Sequence, residues 1–123
     1  MAKVVVLGAG LGGTLMAYEM KAELGAGDQL TVIGQGPRYH FVPSNPWVAA
    51  GWRDRDEVEI DIAAVMARKG IAYLSQGAAR VHPGQNRVEL TDGASIDYDY
   101  LILATGPDLA FDEIPGLGPD GFT

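Results

Sequence analysis

Two kinds of hydrophobic pattern alternate along the chain: short unbroken apolar runs that stop at glycine, and stretches in which apolar residues recur every three or four positions. Lys3 to Leu7 is of the first kind, a β-branched run ending at Gly8, as expected for a strand covered on both faces in a parallel sheet. Leu11, Leu15, Tyr18 and Ala22 are of the second kind and predict a helix with that stripe inward, while Glu19, Lys21 and Glu23 lie mostly away from it. Gly25 and Gly27 are expected to end the helix, and Gln29 to Ile33 resumes as a strand. Strand, helix and strand within about thirty residues make one right-handed βαβ unit, which requires parallel pairing.

The pattern dissolves between Gly34 and Trp52 into glycine, proline, asparagine and aromatic residues, the texture of a long binding loop. Ile62 to Lys69 predicts a short helix with Asp61 as its N-cap and Gly70 as its end, followed by a strand over Ile71 to Leu74. Runs at Arg80 to His82, Arg87 to Thr91 and Ser95 to Tyr98 are separated by the turn formers Pro83-Gly84 and Asp92-Gly93, and predict an antiparallel meander. A last buried strand is expected over Tyr100 to Ala104. The stretch from Pro107 to Thr123, rich in glycine, proline and aspartate, is expected at the surface.

Composition narrows the partners more than the fold. A length of 123 residues with 47% hydrophobic content supports one core, and a formal charge of -7 without any basic stretch argues against nucleic acid, whose binding needs clustered lysine and arginine. There is no cysteine, hence no disulfide, thiolate metal site or cysteine nucleophile within this chain. The longest apolar runs are strand-sized, far short of the ~20 residues that span a bilayer, and the chain is expected to be soluble with no leader segment. Neither of the two histidines has a second ligand at metal-site spacing, so no metal is expected.

The strongest chemical signal is the spacing Gly8-x-Gly10-x-x-Gly13, placed directly after a strand and at the start of a helix. Gly8 is suited to the tight turn, Gly10 to close approach by a pyrophosphate, and Gly13 to close packing of helix on sheet; Ala9, Leu11 and Gly12 complete the turn. The helix N-terminus offers free N–H groups and partial positive charge to phosphates. The acidic residue that usually meets the ribose hydroxyls is missing, since Gly34 and Gln35 stand at the end of the second strand. Ribose recognition therefore falls to the backbone of that pair or to the Gln35 amide. A second small, polar strand end, Ala104-Thr105-Gly106, reaches the carboxyl edge of the sheet where ligands of such folds bind.

The glycine fingerprint, the meander and the sequence Tyr100-Leu101-Ile102-Leu103-Ala104-Thr105-Gly106-Pro107 together resemble the glutathione-reductase-like flavoproteins with two dinucleotide-binding motifs. The loop Phe41-Val42-Pro43-Ser44-Asn45-Pro46-Trp47, extending to Gly51-Trp52, resembles the sulfide:quinone oxidoreductases, and that resemblance runs through essentially the whole chain. It implies an α/β fold: a Rossmann-like βαβ FAD-binding domain with a parallel sheet and an antiparallel β-meander, over residues 1–110, with 111–123 as a tail leading to further sequence. It also implies FAD as cofactor, with Val42 and Pro43 beside the isoalloxazine, Ala78 contacting the adenine end through its backbone, and Gly34 with Gln35 replacing the acid.

Members of that family oxidise sulfide at cysteines on one face of the flavin and reduce a quinone on the other while attached to a membrane surface, and the full-length parent is expected at the bacterial cytoplasmic membrane. Those cysteines and the C-terminal membrane-binding region match nothing here, so the chain is expected to be the N-terminal part of a longer enzyme and inactive alone. The flavin subunit of a flavocytochrome c sulfide dehydrogenase and a type II NADH dehydrogenase share both glycine motifs and are the alternative parents. A non-catalytic module holding an adenine dinucleotide is the alternative of another class.

Other residues carry plainer expectations. Trp47 and Trp52 are expected to pack as large apolar side chains, His40 to be a hydrogen-bonded loop residue, His82 to belong to the turn at Pro83, and Arg53 to Glu57 to be a solvated segment with weak local ion pairs.

Overall fold

The computed structural model describes residues 1–117 and is built on a four-stranded sheet whose order follows from two connections. Strand β1 (Lys3–Leu7) leads through helix α1 (Leu11–Glu23) to β2 (Gln29–Ile33), and the strands pair in parallel from Lys3 opposite Gln29 to Leu7 opposite Ile33. Helix α3 (Ile62–Arg68) then leads to β5 (Ala72–Leu74), parallel to β2 on its outer side. The final strand β9 (Tyr100–Leu103) crosses to the opposite side of β1, giving the order β5-β2-β1-β9. The order of strands therefore reverses between β1 and β9, which opens a crevice at their carboxyl ends.

Alternation along β1 explains the layers. Val4 and Val6 face one way, into a cluster with Ala17, Leu30, Val32, Ile62, Met66 and Ile71 beneath α1 and α3. Val5 and Leu7 face the other way, into a cluster with Ile33, Val88, Leu90 and Tyr98. The second layer is the antiparallel meander of β6 (Ala78–His82), β7 (Arg87–Leu90) and β8 (Ser95–Asp97). Because both faces of β1 are covered, the run can be continuously apolar, and each fully buried valine there contributes about 1.5–3 kcal/mol relative to exposure.

Short-range signals are realised closely. Asp61 caps α3 by accepting a hydrogen bond from the Ala64 N–H at 3.0 Å, and Gly70 takes a φ of +66° directly after the helix. The charged run forms a 3-10 turn, Arg55–Val58, in which Glu57 accepts from the Asp54 N–H and Arg55 lies 2.7 Å from Glu59.

Other expectations require correction. The inward face of α1 is not Leu11, Leu15, Tyr18 and Ala22: Gly13 and Ala17 are the buried residues, with Met20, Leu24 and Tyr18 packed around them, while Leu11 and Leu15 are each 55% exposed. Small residues win this position because the helix lies close to the turn after β1; a Cβ on Gly13 would overlap the Gly8 carbonyl. Gly25 does not end α1 through a left-handed cap; the extended Leu24 does, and Asp28 accepts from the Gly25 N–H. Within this chain β9 is the edge strand of the sheet and leaves Tyr100 and Leu103 64% and 66% exposed rather than buried.

The stretch from Gly34 to Trp52 contains more order than its composition suggests: β3 (Arg38–His40), a 3-10 turn at Val42–Ser44, and helix α2 (Asn45–Ala49). Strand β3 pairs antiparallel with β4 (Glu59–Asp61), tying the loop back to the start of α3. Trp52 is 76% exposed and so is not packed as expected; Trp47 is partly covered by the Arg53 guanidinium, 5.5 Å from its ring centroid. His82 ends β6 and is also the N-cap of the 3-10 turn Pro83–Gln85, as expected, and its Nε2 lies 3.0 Å from Glu89 on β7. The expected surface tail runs partly outside the described residues; within them it contains one 3-10 turn, Phe111–Glu113.

Candidate functional site

A cleft of about 420 Å³ opens at the carboxyl edge of the sheet, where β1, β2 and β5 end. From the sequence-derived set it gathers Gly8, Ala9 and Gly10 after β1, Gly34 and Gln35 after β2, Ala78 at the start of β6, and Thr105 beyond β9. Leu11, Gly12, Gly13, Val42, Pro43, Ala104 and Gly106 do not line it. Val42 is 64% exposed close to His40 in the chain, and Gly13 is buried on the inner face of α1 against the Gly8 carbonyl.

The two glycine motifs are one piece of structure. Gly8 adopts a φ of +114°, donates its N–H to Ile33 at 2.8 Å, and sits where a Cβ would overlap the Ala104 carbonyl. Ala104 in turn donates to the Leu7 carbonyl at 2.8 Å. Ala104 thus serves as the floor against which the Gly8 turn is packed, and Thr105 is the residue delivered to the cleft.

Gly10 differs from Gly8 in every respect. Its φ is -74°, and no atom lies within 4 Å of the place a Cβ would occupy. Its position is open space over bare backbone at the N-terminus of a 13-residue helix with no acidic residue in the first turn. The Thr14 N–H already bonds the Gly10 carbonyl at 2.9 Å, which leaves the N–H groups of the preceding turn for a ligand. An unobstructed backbone, unpaired donors and an uncompensated helix dipole fit a dinucleotide pyrophosphate.

Gly34 lines the cleft, but its backbone is engaged: the N–H donates to Leu74 at 2.8 Å and the carbonyl accepts from Gly77 at 2.9 Å. Pairing continues past the last residue of β2, and Gly36 likewise donates to Ser75 at 2.8 Å. Gln35 bridges to Gln76. The Gly34 N–H and carbonyl are therefore both hydrogen-bonded within the protein.

Several cleft residues escaped sequence reasoning: Arg38 and Tyr39 from β3, Tyr73 from β5, Gly77 and Thr91. Tyr73 donates its hydroxyl proton to the Gly36 carbonyl at 2.7 Å, and burial pushes its pKa up. Its signal was topological, because a strand parallel to β2 must end at the same edge. His40 is hydrogen-bonded as expected, to Asn45 through Nε2, but it sits in a strand on the cleft wall, with Nδ1 3.5 Å from Glu59. The hydrogen bond from Arg55 holds the Glu59 carboxyl below its usual range.

Among the described residues, no helix is long and apolar enough to cross a membrane, and no group of three or more acidic or histidine side chains could hold a metal ion.

The sequence profile described as pyridine nucleotide-disulphide oxidoreductase matches residues 2–123; these are FAD-binding flavoproteins. The chain is 37% identical to the sulfide-quinone reductase of Aquifex aeolicus (strain VF5) over 108 residues, covering 88% of this chain and 25% of that one. It is 31% identical to the mitochondrial sulfide:quinone oxidoreductase of Mus musculus, covering 98% of this chain and 26% of the relative. The X-ray structure of the Aquifex aeolicus sulfide:quinone oxidoreductase superposes with a TM-score of 0.84 at 33% identity, covering 90% of this chain and 26% of that one. The chain thus spans about a quarter of the length of these relatives.

Proposed function

The chain belongs to the pyridine nucleotide-disulphide oxidoreductase family, and from that premise we propose that it is the FAD-binding portion of a sulfide:quinone oxidoreductase. The fold, the open Gly10 backbone and the family support an FAD-binding oxidoreductase domain. The observation that carries the choice of donor and acceptor is the 37% identity to a sulfide-quinone reductase across 88% of the chain.

In this reading the N–H groups of Leu11, Gly12 and Gly13 at the start of α1 meet the pyrophosphate, and Gly8, Ala9 and Gly10 keep side chains out of its path. Ala104 and Gly106 shape the turn that holds Thr105 against the dinucleotide. Ala78 presents its backbone to the adenine. Val42 and Pro43 would lie beside the isoalloxazine, and Gln35 would border the ribose. FAD held by these residues would supply two-electron redox chemistry between sulfide and a quinone, and the protein's part would be to bind and orient it. The thiols that react with sulfide must come from outside this chain, which contains no cysteine. The enzyme is proposed to work at the surface of the bacterial cytoplasmic membrane, where its quinone resides.

The test uses the full-length protein purified with FAD, assayed for quinone reduction with sulfide and, separately, with NADH as donor. Sulfide-dependent reduction of a short-chain quinone is the expected result. Reduction with NADH alone would overturn the proposed donor and leave the FAD-binding reading intact.

A further inference from the structure

We propose that Tyr73 is a ribose-binding residue, its phenolic oxygen standing where related dinucleotide sites place an acidic side chain. The inference rests on the FAD-binding reading above and names the group that meets the adenosine ribose within that site.

Four observations converge. The end of β2, where an acid would accept from the ribose hydroxyls, carries Gly34. A Cβ at Gly34 would overlap the Tyr73 hydroxyl, so the phenol fills the volume that an acidic side chain would occupy. The Gly34 and Gly36 backbone groups are engaged: Gly34 with Leu74 and Gly77, and Gly36 with Ser75 and with Tyr73 itself. Finally, Tyr73 lines the cleft at this end, in company with Gly34 and Gln35.

Hydrogen-bond directions decide what the phenol can offer. A tyrosine hydroxyl has one proton and can also accept. Its proton is directed at the Gly36 carbonyl, 2.7 Å away, which leaves the oxygen as an acceptor for a ribose hydroxyl. The function of the absent carboxylate is thereby supplied by a neutral oxygen. A neutral acceptor bonds less strongly than a carboxylate, and its removal is expected to weaken binding by about three- to tenfold.

The experiment measures binding of ADP, 2′-deoxy-ADP and 3′-deoxy-ADP to the FAD-depleted full-length protein by calorimetry, and FAD rebinding by quenching of flavin fluorescence. Tyr73→Phe keeps the ring and loses the oxygen; Gln35→Ala removes the other polar side chain at this end. Tyr73→Phe is expected to weaken ADP and FAD by that factor and to leave at least one deoxy analogue bound as by the wild type, since the contact is already missing there.

Equal loss for all three nucleotides would mean that the phenol acts only by packing, and unchanged ADP binding would mean that it makes no contact; either overturns the proposal. A ribose-dependent loss in Gln35→Ala instead of Tyr73→Phe would transfer the role to Gln35. Failure of the wild-type protein to bind FAD at all would overturn the underlying reading rather than the assignment within it.

Discussion

Gly8 and Gly10 are two residues apart in one motif, yet the structure assigns them opposite kinds of sensitivity. Replacing Gly8 with alanine forces a side chain onto a backbone at φ +114°, costing about 1–3 kcal/mol, and drives a methyl into the Ala104 carbonyl, costing about 1–3 kcal/mol more. The sum, about 2–6 kcal/mol, is a large share of the 5–15 kcal/mol that stabilises an ordinary domain. Gly10→Ala meets no atom within 4 Å and keeps a φ of -74° that alanine readily adopts. A smaller unfolded-state entropy favours that variant by about 0.4–1 kcal/mol, offset by up to about 1 kcal/mol because alanine is a poor N-cap. Its stability is expected to stay close to wild type. The methyl instead enters the space the pyrophosphate needs, and FAD affinity is expected to fall at least about tenfold, or about 1.4 kcal/mol. Urea denaturation of the FAD-depleted full-length protein and fluorescence titration with FAD separate the two effects. Wild-type FAD affinity in Gly10→Ala would refute the placement of the pyrophosphate, and wild-type stability in Gly8→Ala would refute the packing of the two motifs.

Met66 is fully buried between α3 and the sheet, so Met66→Ala is expected to lower stability by about 2–5 kcal/mol in denaturation without changing FAD affinity per folded molecule. Asp28 accepts hydrogen bonds from the Ala2 and Gly25 N–H groups, which hold its carboxyl below its ordinary value. A depressed folded value means stabilisation that is present above the unfolded value, about 3.9, and lost as pH falls through it toward the folded value. Denaturation of wild type and Asp28→Asn between pH 7 and 3 should therefore show a wild-type advantage that shrinks on acidification; an advantage independent of pH would contradict the assignment.

Elements set by neighbouring residues were legible in the sequence. The Asp61 cap, the glycine turn after β1 and the paired turns of the meander each depend on a few adjacent residues, and each appears where expected. What escaped depends on distant ones. The apolar stripe of α1 has the right period and the wrong phase, because a helix that must approach the Gly8 carbonyl turns its smallest residues inward rather than its largest. β9 reads as a buried strand from its apolar run, but no residue within it reveals that it lies at the sheet edge. Tyr73 and Arg38 reach the cleft only because β5 and β3 are placed there by strand order and by pairing with β4.

The missing acid is the case in which reading positions singly misleads. Gly34 looks like a loss of recognition, and its backbone looks like the available substitute. In three dimensions residues 34 and 73 share one volume: the phenol fits only because residue 34 has no side chain, and a carboxylate at 34 would displace the phenol. On the assignment proposed for Tyr73, the glycine is half of an exchange whose other half lies on the next strand outward, with the same polar duty met from across the sheet rather than along it. A dinucleotide fingerprint that looks incomplete at one strand end has to be judged together with the neighbouring strand end, because the ligand meets an edge of the sheet and not a single segment of sequence.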